Sequence, residues 1–231
     1  RILMSVVFIL QTTPAKPKDA WMASKNCIGL DIGASAIKII QLKEDRKGVH
    51  LGAFDIAVLP EETVADGVLM NFGVVVDQIK ELVKNNKLRS KDVAFSVSGN
   101  SIIIKKITLP EMTTEELEES IQWEAEQYIP FDVNEVNLDF QILASNEEEG
   151  QMDVLLVAAK KDLIDDYLNV ISDAGLSMAI MDVDAFALGN MYELNYDPSP
   201  ESAVALVDIG ASVININVMN GAVPVFTRDI T

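Results

Sequence analysis

Asp31-Ile32-Gly33-Ala34-Ser35 recurs letter for letter as Asp208-Ile209-Gly210-Ala211-Ser212. The register holds beyond the repeat at the same offset, with Ile37 matching Ile214 and Ile39 matching Ile216. Each copy follows a short apolar run (Ile28-Gly29-Leu30; Ala205-Leu206-Val207) and leads into alternating apolar residues, the pattern of a β-hairpin with DIGAS at its turn. Gly33 and Gly210 permit close backbone approach to a ligand and turn dihedrals that a side chain forbids. The turn amides, including those of Ala34 and Ala211, together with Ser35 and Ser212, can donate to phosphate oxygens. Asp31 and Asp208, at strand ends, suit a magnesium ion held through its waters, because magnesium keeps much of its hydration shell. Lys38 can add its ammonium, whereas the second copy has Asn215 there, so the halves are not equivalent. One Asp-x-Gly turn is usually only turn geometry. Two in matched contexts point to a clamp on the phosphates of one nucleotide.

Working outward, 231 residues make one or two domains. The composition, 49% hydrophobic and 23% charged, is that of a globular protein. A net charge of −18 argues against nucleic acid as a partner, since phosphate binding needs a basic face. The charge is uneven: residues 1–110 carry 11 acids and 15 bases, residues 111–231 carry 25 acids and 3 bases. A lone Cys27 excludes an internal disulfide and a cysteine-based zinc cluster. The single His50 sits in a polar stretch that reads as a solvated hairpin, which leaves serine- or cysteine-hydrolase chemistry without a base. The apolar run over residues 2–10 is too short to span a bilayer, and residues 1–25 read as a leader outside the fold.

Along the chain, strands are expected over residues 26–32, 37–42 and 49–58, then a helix with Val75, Ile79, Leu82 and Val83 on one face, then a buried strand over 93–97. Residues 101–109 form another strand. Thr113-Thr114-Glu115-Glu116 is a capping box opening a helix with Leu117, Ile121, Ala125 and Tyr128 inward, ended by Pro130. Strands over 136–143 and 152–159 flank an acidic loop containing Glu147-Glu148-Glu149, and a further helix ends at Gly175. This organisation suggests an α/β fold in which residues 102–180 are an α+β unit of their own, with 18 acids and 4 bases. Such a unit favours a basic partner segment.

The paired hairpins resemble those of the actin-like (ribonuclease H-like) ATPase superfamily. The IGLDIGASAIKIIQL opening, the EAEQYIPFDVNEVNLDFQIL segment and the insert before the second hairpin resemble, more narrowly, the PilM family of type IV pilus assembly, relatives of FtsA. The resemblance implies a first actin-like subdomain from residues 26–101 and 181–202, an FtsA-type insert over 102–180, and the start of a second, incomplete actin-like domain at 203–231. It implies ATP and magnesium as cofactors, with Asp31, Gly33, Ala34, Ser35, Lys38, Asp208, Gly210, Ala211 and Ser212 at the phosphates. Asp31, Asp184 and Asp208 would face the metal hydrate, a helix N-cap being the other reading of Asp184. Hydrolysis is left open. The implied role is that of a cytoplasmic adaptor held at the inner membrane by PilN, whose N-terminal peptide lies in a groove between insert and first subdomain. Candidates for that groove are Ile102, Ile103, Ile104, Ile129, Pro130 and Phe131. A pilus motor ATPase and self-association are further partners the resemblance leaves open. A small-molecule kinase of the same superfamily is the alternative, which would require an acceptor pocket and an orienting base.

Overall fold

The computed structural model describes residues 27–230, save 47, 66, 147–148, 197–198, 200–201 and 222. The leader over residues 1–25 lies outside the described residues, as do Glu147 and Glu148 of the acidic loop and Pro198 and Pro200 of the loop before the second hairpin. Strands β1 (Ile28–Ile32), β2 (Ala36–Asp45) and β3 (Gly48–Val58) form an antiparallel meander. Alternation buries Ile28, Leu30, Ile32, Ile37 and Ile39 on one face and leaves Asp31 and Lys38 on the other. His50, on β3, is exposed, as the polar stretch implies.

A two-residue hairpin that the residue pattern does not signal, β4 (Val64–Ala65) and β5 (Val68–Leu69), precedes helix α1 (Phe72–Asn85). Asn71 caps α1 by accepting from the Val74 N–H, and Val75, Val76, Ile79 and Leu82 face the sheet core. Strand β6 (Asp92–Val97) then pairs parallel with β1. The chain crosses out along β7 (Ile102–Pro110) into helix α2 (Thr114–Ala125) and strands β8 (Val136–Asn146) and β9 (Gln151–Lys160), with sheet order β7-β9-β8. Helix α2 ends at Ala125, before Pro130.

Helix α3 (Lys161–Asp173) and strand β10 (Ser177–Val183) correct the expected domain boundary. Residues 102–180 were to be one unit, but Leu163, Ile164, Tyr167, Val170 and Ile171 of α3 share a core with α1, β1 and β6. Strand β10 pairs parallel with β6, completing a sheet ordered β10-β6-β1-β2-β3. A parallel neighbour needs a long crossover, and the insert plus α3 supply it. The insert is therefore residues 102–160, and its excess acid is carried by 14 acids against 3 bases. The five-stranded sheet is mixed: β10, β6 and β1 run parallel to one another, and β2 and β3 continue it antiparallel. Helix α4 (Asp184–Tyr196) leads from it to a second antiparallel sheet, β11 (Ala203–Ile209), β12 (Ile214–Asn220) and β13 (Val223–Ile230), and packs on both β10 and β12. Gly189 permits that approach, since a Cβ there would stand 3.3 Å from the Met219 Cε.

The insert sheet has two differently used faces. One carries Ile107, Leu109, Met152, Val154, Leu156 and Ala158 against Leu117, Ile121 and Ala125 of α2. The other carries Leu155 and Val157 against Val183, Ala185 and Phe186 at the start of α4. In the same register row as Val157 and Ile104 lies Asp139, whose carboxyl is pushed up to about 6 by burial, partly offset by the Phe140 N–H it accepts from.

Two outcomes follow from these elements. Thr113 is the N-cap of α2, accepting from Glu116 N while Glu116 accepts from Thr113 N. Thr113→Ala should cost about 1 kcal/mol in urea unfolding and Thr114→Ala only a few tenths. Asp139 is protonated more readily folded than unfolded, so its contribution is favourable below about pH 4 and is lost as pH rises through about 6. Asp139→Asn should therefore raise stability by about 1–2 kcal/mol at pH 7.5 and leave it nearly unchanged near pH 4.

Candidate functional site

Both repeats fold as the same hairpin. Gly33 N–H donates to Ala36 O at 3.0 Å and Gly210 N–H to Val213 O at 2.9 Å, at matching positions of the repeat. Space is tight at both glycines, and at Gly210 a side chain would collide with the backbone. A Cβ on Gly210 would lie 2.7 Å from the Val213 carbonyl oxygen, and one on Gly33 3.3 Å from that of Ala36. Asp31 pairs in register with Lys38 and Asp208 with Asn215. The strands differ in cover: Leu30 and Ile32 are 4% and 8% exposed beneath the helices, their counterparts Val207 and Ile209 53% and 75%.

The charge centre of the site is Lys38. Its ammonium stands 2.7 Å from the Asp31 carboxylate, and that hydrogen bond raises its pKa above the ordinary lysine value, opposed by partial burial. The charges of Asp31, Asp208 and Asp184 add to the rise, so both hairpins and the head of α4 lie within electrostatic reach of one ammonium. Asp184 opens α4, and its carboxylate accepts hydrogen bonds from Ser96 at the end of β6 and from Ser98. Burial raises its pKa, those two hydroxyls oppose the rise, and the charges of Asp31 and Asp229 add to it. The helix-cap reading of Asp184 thus gives way to a side chain held across to β6.

Three contributors carried no sequence signal. Ser96 sits in an ordinary alternating strand and Ser98 just past its end. Asp229, on β13, accepts from Gly99 N at 2.7 Å and from Asn215 Nδ2 at 2.8 Å, tying the second sheet to the turn before β7. Asn215, the counterpart of Lys38, therefore serves a carboxylate on the neighbouring strand rather than Asp208. A second tie is Asn217, whose Nδ2 donates to Ala185 O at 2.6 Å in α4. Among the described residues no three His, Cys, Asp or Glu side chains converge to hold an ion directly.

The residues expected at a partner groove divide. Ile102, Ile103 and Ile104 are half-buried and line a cavity of about 220 Å³ with Gly99, Val183 and Asp229. Ile129, Pro130 and Phe131 do not line it. Ile129 belongs to the core beneath α2, Pro130 is exposed, and Phe131 is half-buried with the Lys160 ammonium 4.7 Å from its ring centre. The structure corrects the expectation for Ile129: it lies past the end of α2, is 7% exposed and is spent on packing in the core beneath that helix.

Among families, the one described as type IV pilus assembly protein PilM matches residues 29–231. Among solved structures, a PilM-PilN type IV pilus biogenesis complex matches at 30% identity with a TM-score of 0.78, over 89% of this chain and 61% of that one. The cytoplasmic domain of EpsL, an inner-membrane component of the Vibrio cholerae type II secretion system, matches at 13% identity with a TM-score of 0.56, over 89% and 71%. The chain thus spans about three fifths of the length of the PilM chain it matches.

Removing Asp229 should loosen the tie between the second sheet and the turn before β7. In Asp229→Ala the Gly99 amide is expected to exchange at least ~10-fold faster in hydrogen-exchange mass spectrometry, with α1 amides unchanged; uniform acceleration would instead mark a general loss of stability.

Proposed function

The chain belongs to the PilM family of type IV pilus assembly proteins, and we propose that it works as a nucleotide-binding adaptor that grips the N-terminal cytoplasmic peptide of PilN. The observation that carries the nucleotide half is the pair of hairpins with identical closure whose acids gather around Lys38. The turn amides of Ala34, Ser35, Ala211 and Ser212, with Gly33 and Gly210 allowing approach, would face the phosphates of ATP. Asp31, Asp184 and Asp208 would face a magnesium ion through its water shell, since no three such side chains among the described residues converge to ligate one directly. Bound there, the ion would neutralise phosphate charge that the acids alone would repel. Lys38 would exchange Asp31 for a phosphate oxygen, and Ser96 and Ser98 would keep Asp184 in place.

The peptide half rests on the cavity lined by Ile102, Ile103 and Ile104 at the corner of insert, first sheet and β13. An extended segment could lie along β7, an edge of the insert sheet, with side chains in that cavity. Asp229 borders the same cavity and bonds Asn215 of the second hairpin strand, which gives a short physical path between phosphate site and peptide site. In this reading the protein sits in the cytoplasm, at the inner membrane through PilN. No helix among the described residues is long and apolar enough to cross a membrane. Family membership favours this adaptor over a small-molecule kinase.

A labelled PilN N-terminal peptide titrated in fluorescence polarisation tests the reading. Ile104→Ala should weaken binding by ~10-fold and Phe131→Ala by ~2-fold, and MgATP should shift the wild-type affinity. Equal affinity for wild type and Ile104→Ala would refute the groove.

A further inference from the structure

Helix α2 is the outermost layer of the insert. Its inner face packs on one side of the β7-β9-β8 sheet, and the opposite side of that sheet meets α4. With Leu117, Ile121 and Ala125 turned inward, the 3.6-residue period puts Trp123 near the middle of the outward face. The indole is 72% exposed. On the helix its neighbours one turn away include Glu119 and Glu126, with Glu115 and Glu116 a turn beyond, and all four are exposed. The capping box at Thr113 fixes this surface in advance of any contact.

Trp is the aromatic most enriched at the centres of interfaces, and its face attracts cations. The insert does not supply one from within. Lys105 lies over the Tyr128 ring, Lys106 pairs with Asp153, and Lys160 lies over Phe131. Those are all three bases of residues 102–160, against 14 acids.

We propose that the outer face of α2, with Trp123 between Glu119 and Glu126, is a docking surface for an arginine-bearing basic segment of a partner protein. A guanidinium can stack on the indole and fork to a carboxylate at once, which a lysine ammonium cannot do. Charge complementarity selects this occupant: a second copy would bring the same glutamates against each other. The surface lies on the other side of the insert sheet from the Ile102 and Ile104 corner, so it is independent of the peptide reading above.

The test uses fluorescein-labelled nine-residue peptides of alternating arginine and alanine, or lysine and alanine, titrated in anisotropy at 150 mM salt. The arginine peptide should bind at least ~5-fold more tightly than the lysine one. Trp123→Ala should weaken the arginine peptide by ~10-fold and Trp123→Phe by less, with circular dichroism unchanged. Glu119→Gln with Glu126→Gln should also weaken it, whereas Asp165→Asn with Asp173→Asn, two exposed acids on α3, should change it by less than ~2-fold. Equal losses from the α2 and α3 pairs, or no loss in Trp123→Ala, would overturn the proposal in favour of diffuse attraction to an acidic protein. A Trp123-dependent dimer in sedimentation without peptide binding would overturn it in favour of a second copy.

Discussion

Like charges set the terms of this molecule. Asp31 meets one ammonium, that of Lys38, at 2.7 Å, and the charges of Asp208 and Asp184 act on the same group from the second hairpin and the head of α4. Asp229, close enough to act on Asp184, is quieted by two hydrogen bonds, from Gly99 N and Asn215 Nδ2. Asp184 is held by two hydroxyls and partly desolvated. Gathering carboxylates in this way costs stability unless cations and donors offset it. Ser96, Ser98 and the Asn215–Asp229 tie supply donors that offset part of that cost.

Much of this was legible because it is local. A five-residue repeat, a capping box and alternating strands are patterns within a few turns of chain, and the structure realises each. What was not legible depends on which distant surface an element meets. Nothing in the apolar stripe of α3 says whether it faces the insert or α1, and β10 reads equally well as the last strand of either sheet. The partner of β10 is β6, some 80 residues earlier. Asp229 likewise has no motif, and its role exists only once β13 lies beside β12 and the turn before β7. Ile129 shows the converse, a residue read as a contact surface that packs into the core beneath α2.

The insert joins these themes. One face of its sheet rests on Val183, Ala185 and Phe186, which flank Asp184 at the head of α4, while the other supports α2 and its acidic exterior. A ligand that alters the Asp184 surroundings therefore has a packed route to the insert through Ala185 and Phe186, and a hydrogen-bonded one through Asp229 and Gly99. The two routes converge on β7, where the chain leaves the first sheet.

The proposed clamp puts both repeated hairpins on one magnesium nucleotide. Calorimetric titration of MgATP into the intact protein, beside Asp31→Asn and Asp208→Asn, tests it most directly. A single site is expected that each substitution weakens by at least ~10-fold, with little further loss when both are combined, because the two hairpins would act on one ligand. Unchanged affinity in either single variant would contradict it.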